Sequence, residues 1–566
     1  MTARHKCTGE VYIMKITLIR EPKGRPRKID VRDGITVAEI CDGLEDIPYT
    51  ILCAKVDNKL VALDFELNDG SRVELLDMRT QAANLIYQAS LSLIYLKAVG
   101  DIMGSVNVEI MNSINKGLYT EVRSEKEPTE SQIRRISERM RDMIEADLPF
   151  KSEIVSREAA LRYLTEDDRP ERKRLIESAP QVSKIRFFEL DGYRDFFYSY
   201  LVPSTGYIKY FELRKYRRGI LLRFPHPSQP DVIPEYVDEC KLYQAFEEQT
   251  EWDRLLGVNY VSDLNDKIAS DRYRDLIQLS EALHEKKVAQ IADMIKQRNK
   301  RIVLIAGPSS SGKTTFAMRL CVQLRVNGLD PLYLGTDDYF VEREDTPLDE
   351  HGERDYENLS ALDTKLFNSN INDLLKGREV DLPSFDFITG KKKFGRRLTR
   401  LKPDQPIVIE GIHGLNERLT EQLPRNEKFK IYVSPLTQLN IDSHNRIPTT
   451  DERMLRRLVR DYRFRGHSAN DTIKTWPKVR AGEDVNIFPY SGEADVLFNS
   501  YHVYEIAVLR KYAEPLLKEI KPEQAEYAEA TRILQLLEFF RTIDEDSFIV
   551  NNSIIREFIG GSVFVS

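Results

Sequence analysis

The feature that most constrains this sequence is the run at residues 307–314, which fits the pattern G-x-x-x-x-G-K-[ST]. It follows the apolar segment RIVLIA and precedes a helical pattern that places Phe316, Leu320 and Leu324 on one side. Glycines let a backbone wrap closely around a phosphate group, and the start of the next helix adds its positive dipole. The run therefore predicts a strand, a phosphate-binding loop and a helix.

Each position of this loop has a predicted task. We expect nucleotide contacts from Gly307, Ser309, Ser310, Ser311, Gly312, Lys313, Thr314 and Thr315. In loops of this kind the lysine reaches the β- and γ-phosphates and the hydroxyl binds Mg²⁺, which assigns these tasks to Lys313 and Thr314. ATP and Mg²⁺ are therefore the predicted cofactors.

Two further apolar segments end in carboxylates. LYLG is followed by Asp337 and Asp338, and PIVIEG contains Glu410. Ligands of open α/β sheets lie at the carboxyl ends of the strands, where a carboxylate can take a proton from a hydroxyl group. Asp337 is our candidate base and Glu410 a candidate for a metal-bound water. Alternatives stay open for both groups. In the alternative for the aspartates they hold Mg²⁺ or cap the next element, and in that for Glu410 it is an ordinary acid at a strand end.

An arginine-rich segment, DERMLRRLVRDYRFRG, has helical periodicity. One predicted face carries Met454, Leu455, Leu458, Val459 and Tyr462, and the other carries Arg453, Arg456, Arg457, Arg460 and Arg463. With Arg465 the segment has more arginines than its acids can pair. An arginine-lined lid would stabilise the charge of a phosphoryl group in transfer, and a solvated helix face is the alternative.

Composition limits the class of protein. A chain of 566 residues predicts several domains, and its net charge of −7 gives no global attraction to nucleic acid or lipid. The five cysteines form no CxxC pair, which favours reduced thiols in a cytoplasm. The most apolar helical stretch, residues 85–99, is too short to span a membrane. Residues 1–13 are expected to be an extension.

Pattern changes along the chain divide it into five parts. These are a small α+β unit at 14–77, a second α+β unit at 78–235, a helical connector at 236–300, an α/β domain at 301–517 and a C-terminal helix with a docking segment at 518–566. Alternating strands and helices in the fourth part predict a parallel sheet covered by helices on both faces.

The motifs GPSSSGKT, TDDYF, YENLSALD, LPSFDF, IVIEGIHGL and RRLVRDYRFRG resemble, in order and spacing, those of the uridine kinase and phosphoribulokinase group. The resemblance implies a P-loop kinase fold. It implies catalytic roles for Asp337, Lys313, Arg460 and Arg465, and acceptor contacts from Tyr339, Glu357, Phe385, Phe387 and Arg457. From the residues alone, the two phenylalanines either stack on a base or fill the core. Glu357 stands where the family has an aspartate, and His467 where it has an arginine.

The front half resembles threonyl-tRNA synthetases. The first unit is similar to their β-grasp (TGS) domain, and VPSTGYIKYFEL in the second unit is similar to their editing domain. The family's editing metal ligands fall on Thr80, Asn84, Phe197 and Leu201, which cannot coordinate zinc as those ligands do. We therefore expect a regulatory or RNA-directed front half without editing hydrolysis.

Together these features predict ATP-dependent transfer of a phosphoryl group to the hydroxyl of a nucleoside, with a uridine- or cytidine-like acceptor. Two alternatives remain: a kinase of another small hydroxyl metabolite, and a nucleotide-switched regulatory protein that binds RNA or the ribosome. The predicted partners are the small acceptor and RNA at the front domains, with no membrane. The sequence leaves the oligomeric state open, a homo-oligomer included.

Overall fold

The computed structural model describes residues 13–349 and 352–565. The predicted extension at residues 1–13 lies outside this part of the chain, apart from Ile13. Among the residues described, no helix combines the length and the apolar character that crossing a membrane requires.

The first unit is a five-stranded sheet crossed by one short helix. Its elements are β1 (Ile13–Ile19), β2 (Arg27–Arg32), α1 (Val37–Asp42), β3 (Ile51–Val56), β4 (Lys59–Val61) and β5 (Arg72–Asp77). The strand order is β2-β1-β5-β3-β4, with β1 and β5 parallel. Thr36 caps α1, because its hydroxyl accepts from the Glu39 backbone and Glu39 accepts from the Thr36 backbone.

The second unit packs helices against two antiparallel sheets. Its elements are α2 (Gln81–Met103), β6 (Asn107–Ile114), β7 (Gly117–Arg123), α3 (Glu130–Glu145), β8 (Lys151–Ser156), α4 (Arg157–Glu166), α5 (Pro170–Ser178), β9 (Lys184–Leu190), β10 (Tyr193–Phe196), β11 (Glu212–Tyr216) and β12 (Gly219–Arg223). The sheets have the orders β10-β9-β8 and β11-β12-β7-β6. The long helix α2 is buried through Leu91, Leu93 and Ile94, which accounts for its apolar sequence.

Three helices connect this half to the rest: α6 (Cys240–Leu256), α7 (Val261–Ala269) and α8 (Tyr273–Gln297). Val288 and Ile291 of α8 belong to the same apolar cluster as Phe316 and Leu320. The connector therefore forms part of the core of the domain that follows.

The α/β domain is built on a five-stranded sheet. Its elements are β13 (Ile302–Ala306), α9 (Lys313–Val326), β14 (Leu332–Gly335), α10 (Thr364–Leu375), β15 (Val380–Asp381), β16 (Ser384–Asp386), β17 (Lys391–Lys393), β18 (Leu398–Thr399), β19 (Ile407–Glu410), β20 (Lys428–Ser434), α11 (Thr449–Arg465), α12 (Ala469–Asn486), β21 (Val496–Asn499) and α13 (Glu505–Lys518). The order is β14-β19-β13-β20-β21, and every neighbouring pair is parallel. The predicted parallel α/β fold is confirmed.

The C-terminal part contributes α14 (Tyr527–Leu537) and α15 (Arg556–Ile559). It contacts both the first unit and the α/β domain. Asn58 of the first unit donates to the Pro522 oxygen at 3.0 Å, and Ile554 lies against Gly312 of the α/β domain. The tail therefore links the first unit to the α/β domain.

Candidate active site

The phosphate-binding loop joins β13 to α9 and requires glycine at both ends. A Cβ on Gly307 would lie 1.9 Å from the backbone oxygen of Val433 in β20. Gly312 has a φ of +80°, and a Cβ there would lie 2.4 Å from Cγ2 of Ile554. A side chain at either position would displace a core strand or the C-terminal segment.

The carbonyl groups of this loop are held by side chains of α11. Arg453 donates from Nε to the Ser309 oxygen at 3.0 Å, and Arg456 donates from Nη1 to the Ser310 oxygen at 3.3 Å. In a trans peptide the next N–H points away from the carbonyl, so the bond to the Ser309 oxygen turns the Ser310 N–H to the opposite side of the loop. The Ser311 N–H donates to the Pro308 oxygen at 3.3 Å. The Ser310 N–H is thus a donor that suits an anion.

The helix α11 differs from its prediction. Arg453 and Arg456, expected on the arginine face opposite the apolar one, are fully buried. Arg453 pairs with Glu483 and Arg456 with Glu505. Tyr462, expected on the apolar face, is 51% exposed. The pairing acids belong to α12 and α13, so a count of charges within α11 could not find them.

The other arginines form a cationic cluster beside the loop. Guanidinium nitrogens of Arg457, Arg460 and Arg465 lie 3.2, 2.7 and 3.7 Å from the Asp461 carboxylate. Arg457 also donates to the Ser309 hydroxyl at 2.8 Å. One carboxylate faces three guanidinium groups, which leaves net positive charge at the edge of the phosphate loop.

Lys313 lies among three carboxylates from separate parts of the chain. Burial raises the pKa of Glu357 and of Glu410 to about 7. Burial also raises the pKa of Asp337. The charge of Lys313 opposes the rise at all three groups, although its ammonium forms an ion pair with none of them and donates to the Pro308 oxygen at 3.1 Å. The carboxyl ends of β14 and β19 therefore meet the phosphate loop at one place.

Asp337 and Asp338 have different surroundings in the short 3₁₀ helix Thr336–Tyr339. Asp338 pairs with Arg397 and accepts from the Phe385 backbone at 3.4 Å. The Asp337 carboxylate accepts no hydrogen bond from any residue that the structure describes. Its side chain reaches solvent, although the protein around it is close enough to reduce its hydration. Asp337 is therefore the carboxylate of this pair that is free for a substrate.

Thr314 and Glu410 form the candidate metal site. The Thr314 hydroxyl donates to Glu410 Oε2 at 3.2 Å, and the Tyr333 hydroxyl donates to the same oxygen at 3.4 Å. Mg²⁺ prefers oxygen ligands and binds proteins through one or two side chains together with phosphate oxygens and water. The residues present therefore fit Mg²⁺ bound with a nucleotide.

The two predicted phenylalanines lie in one aromatic cluster and differ in their exposure. Their ring centroids lie 5.2 Å apart, and the Phe340 ring lies 5.6 Å from Phe385 and 6.2 Å from Phe387. Phe385 is 8% exposed, whereas Phe387 is 60% exposed. Phe385 thus anchors the cluster, and Phe387 offers an open aromatic surface.

Tyr339 does not join this surface. It is 1% exposed, its ring packs against Phe367 and its hydroxyl accepts from Asn370 at 3.3 Å. The prediction that Tyr339 contacts the acceptor is therefore corrected: its side chain belongs to the core beneath the site.

Sequence reasoning missed His413. It is 1% exposed, and neither ring nitrogen has a hydrogen-bond partner among the residues described. Burial lowers the pKa of its imidazole to about 4, and the Glu357 backbone lies beside it. His413 stands three residues after Glu410 in IVIEGIHGL, so that motif carried a signal for it.

Glu557 was also missed. Its carboxylate accepts from the Thr315 backbone at 3.2 Å and from the Thr315 hydroxyl at 2.7 Å. The carboxylate thus binds the first turn of α9, where the helix dipole favours an anion. No local pattern could reveal a contact between residues 242 positions apart.

The α/β domain is similar to known proteins. Residues 302–507 match the Phosphoribulokinase / Uridine kinase family. The uridine kinase of Staphylococcus aureus (strain JH9) is 30% identical over 197 residues, which cover 35% of this chain and 86% of that protein. The chain belongs to this family. The chain is also similar to a solved structure described as a possible uridine kinase from Bacillus stearothermophilus. The alignment covers 35% of this chain and 88% of that structure, with 22% identity and a TM-score of 0.22.

The front half of this uridine kinase family member has other relatives. The threonine–tRNA ligase of Desulforamulus reducens is 29% identical over 202 residues, which are 36% of this chain and 31% of that protein. The similarity falls in the N-terminal part, as the predicted fusion requires. The chain spans about a third of the length of the threonine–tRNA ligases it matches.

The four positions predicted to replace editing ligands have structural contacts. The Thr80 hydroxyl caps α2 by accepting from Ala83 at 3.3 Å, and Asn84 accepts from Gln88 at 2.6 Å. Phe197 and Leu201 belong to the apolar core of the second unit. Within residues 13–349 and 352–565, no group of three or more His, Cys, Asp or Glu side chains is arranged to hold a metal.

Proposed function

We propose that this protein transfers the γ-phosphoryl group of ATP to a hydroxyl of a nucleoside, with a uridine- or cytidine-like acceptor. The observation that carries the proposal is the position of Lys313, which lies among Asp337, Glu357 and Glu410 beside a loop that requires Gly307 and Gly312. A cation, a free carboxylate and a phosphate loop at one place are the parts that phosphoryl transfer needs.

On the nucleotide side, the loop N–H groups and Lys313 would bind the β- and γ-phosphates. Thr314 and Glu410 would hold Mg²⁺, which neutralises phosphate charge when it is bound. Arg457, Arg460 and Arg465 outnumber their shared carboxylate, so they can bind the charge that spreads over the phosphoryl group in transfer.

On the acceptor side, Asp337 would take the hydroxyl proton. Its raised pKa makes it a better base than an ordinary aspartate, and no described residue occupies its oxygens. Glu357 would contact the acceptor hydroxyls, and the neutral imidazole of His413, which lies beside the Glu357 backbone, would join it. Phe387 would stack on the base through its exposed ring.

A second role at the front half is favoured by one observation, its similarity to threonine–tRNA ligases. We propose that this half contacts RNA, with the nucleotide state of the kinase domain as the switch. Titration of labelled tRNA into the full chain, with and without ATP, tests it. Equal affinity for tRNA and for a polyanion such as heparin would contradict it.

The described cysteines Cys41, Cys53, Cys240 and Cys321 are all free. Free thiols suit a reducing compartment, so we propose a cytoplasmic location.

The deciding experiment incubates the full chain with ATP, Mg²⁺ and single acceptors, and measures ADP release and product mass. The panel contains uridine, cytidine, adenosine, guanosine, thymidine, sugar phosphates and sugar alcohols. We expect a phosphorylated pyrimidine nucleoside, and no product from Lys313→Ala. Lys376→Ala, which removes an exposed lysine, is the matched control and should keep full activity.

The other outcomes separate the alternatives. A phosphorylated sugar, with no phosphorylated nucleoside, would change the proposed acceptor but keep the assignment as a kinase. No product from any acceptor, with ATP hydrolysis stimulated by RNA, would replace the kinase by the switch.

A further inference from the structure

A partly enclosed cavity lies away from the phosphate loop, where four parts of the chain meet. Its volume is about 240 Å³. One water molecule needs only about 15 Å³ on this measure, so the cavity can hold a small organic molecule. Its walls come from β4 of the first unit, from α2, β6, β7 and residues 197–200 of the second unit, from residues 444–448 of the α/β domain and from α14 of the C-terminal part. None of the candidate active-site residues lines it.

The wall on the side of α2 is largely apolar, with Gln88 and Ser92 as its polar residues. Leu85 and Ala89 of α2 face the cavity together with Ile110 of β6 and the Phe197 ring. Such a surface favours the apolar part of a ligand, because burying it removes hydrocarbon from water.

The lining also carries Lys59 of β4, which is exposed, and Arg446, which has no ion-pair partner among the described residues. No carboxylate of the described residues lies within ion-pair distance of its guanidinium, whose one recorded hydrogen bond goes to the Ile447 oxygen at 3.4 Å. The nearby acid Asp451 accepts two hydrogen bonds of 2.7 Å from Arg532, which also binds Glu529. Burial lowers the pKa of Arg446, which shows that its surroundings disfavour the charge. A half-buried cation of this kind is costly unless an anion joins it.

We propose that this cavity is a regulatory site for a small organic anion, whose single carboxylate or phosphate group binds Arg446 and whose apolar body packs against α2. The guanidinium can give two parallel hydrogen bonds to either group. The size of the cavity selects against larger ligands.

The position of Arg446 connects the cavity to the phosphate loop. Pro448, two residues further on, also lines the cavity and precedes α11. Asp451 in the first turn of α11 is held by Arg532, another lining residue. The same helix holds the Ser309 oxygen of the loop. An occupant therefore acts on the element that shapes the nucleotide site, and its binding and that of ATP must affect each other equally.

Calorimetric titration of the full chain tests the site with 3-phenylpropionate, phenyl phosphate and the neutral 3-phenylpropanamide. We expect saturable binding of at least one anion and none of the amide, and the stronger anion identifies the preferred group. Arg446→Met should weaken binding at least about tenfold, since it removes a charge-assisted bidentate contact. Arg134→Met, which removes an exposed arginine of α3, is the matched control and should leave affinity unchanged.

Two further variants separate this cavity from other sites. Ala89→Leu should block binding by filling the cavity while Arg446 stays in place. Lys313→Ala should bind the probes normally, whatever its kinase activity, because the phosphate loop is not involved. Absence of saturable binding at millimolar probe, equal binding of the amide, or full affinity in both Arg446→Met and Ala89→Leu would overturn the proposal.

The melting temperature and the affinity for ATP test the proposal independently of probe binding. Removing a charge that burial disfavours should raise the melting temperature of ligand-free Arg446→Met, whereas loss of a structural arginine would lower it. A lower melting temperature with unchanged probe affinity would assign Arg446 a structural role instead. Saturating probe should shift the Kd of ATP by roughly fivefold or more. An unchanged Kd for ATP would remove the regulatory part of the proposal.

Discussion

The Glu557 carboxylate accepts a hydrogen bond from the Thr315 hydroxyl at 2.7 Å, across 242 positions of sequence. It also accepts from the Thr315 backbone, so the C-terminal segment fixes the start of α9. The last part of the chain is therefore a structural component of the phosphate loop.

Glu557→Ala should loosen the phosphate loop. The change leaves the Thr315 N–H without its partner, which costs about 1–3 kcal/mol. Amide hydrogen exchange of a peptide covering residues 305–320 should accelerate in the variant. Glu557→Gln keeps an acceptor oxygen and should exchange at a rate between those of Glu557→Ala and the wild type. Equal exchange in all three proteins would show that the tail does not support the loop.

A pair of arginine variants separates support of the loop from the chemistry proposed for the arginine cluster. Arg456→Met leaves Glu452 and Glu505 buried without their cation, at a cost of about 3–5 kcal/mol, so its melting temperature should fall strongly. Arg460→Met leaves Asp461 paired with Arg457 and Arg465, so its melting temperature should change little. Its turnover should instead fall by about 10²-fold. The reverse assignment of the two effects would contradict the roles given to these residues.

Local sequence patterns were sufficient to predict the structure wherever a motif and the residues that contact it are close in sequence. The phosphate loop, the buried face of α9 and the parallel sheet follow from residues that are neighbours in the chain. The burial of Arg453 and Arg456 depends on Glu483 and Glu505, which only the folded chain brings near. The family resemblance implied that Tyr339 contacts the acceptor, yet its side chain turns into the core. The roles of the predicted site residues remain predictions for the experiments proposed here.

Asp253 predicts a pH dependence of stability. It is buried in α6, and burial raises the pKa of its carboxyl group to about 7. An acid whose pKa is higher in the folded than in the unfolded chain keeps its proton only in the folded state between the two values. Stability is therefore lost as pH rises from about 4 to about 7.

Asp253→Asn keeps the shape of the side chain without its charge and should lack this loss of stability with rising pH. Its melting temperature should match that of the wild type near pH 4 and exceed it increasingly up to pH 8, by an amount equivalent to a few kcal/mol. Asp275→Asn, on the exposed side of α8, is the control and should give no such divergence. A wild type that stays as stable as Asp253→Asn at pH 8 would contradict the raised pKa.

The turnover of Asp337→Asn with the best acceptor tests the central claim most directly. The substitution preserves shape but removes the base, so turnover should fall by roughly 10²-fold or more while ATP affinity stays within a few-fold of wild type. Asp338→Asn is the adjacent control: Asp338 is engaged by Arg397 and should matter less to turnover. Full turnover in Asp337→Asn would contradict the account. A loss confined to Asp338→Asn would move the base by one residue, and no loss in either variant would remove the phosphoryl-transfer mechanism proposed for this site.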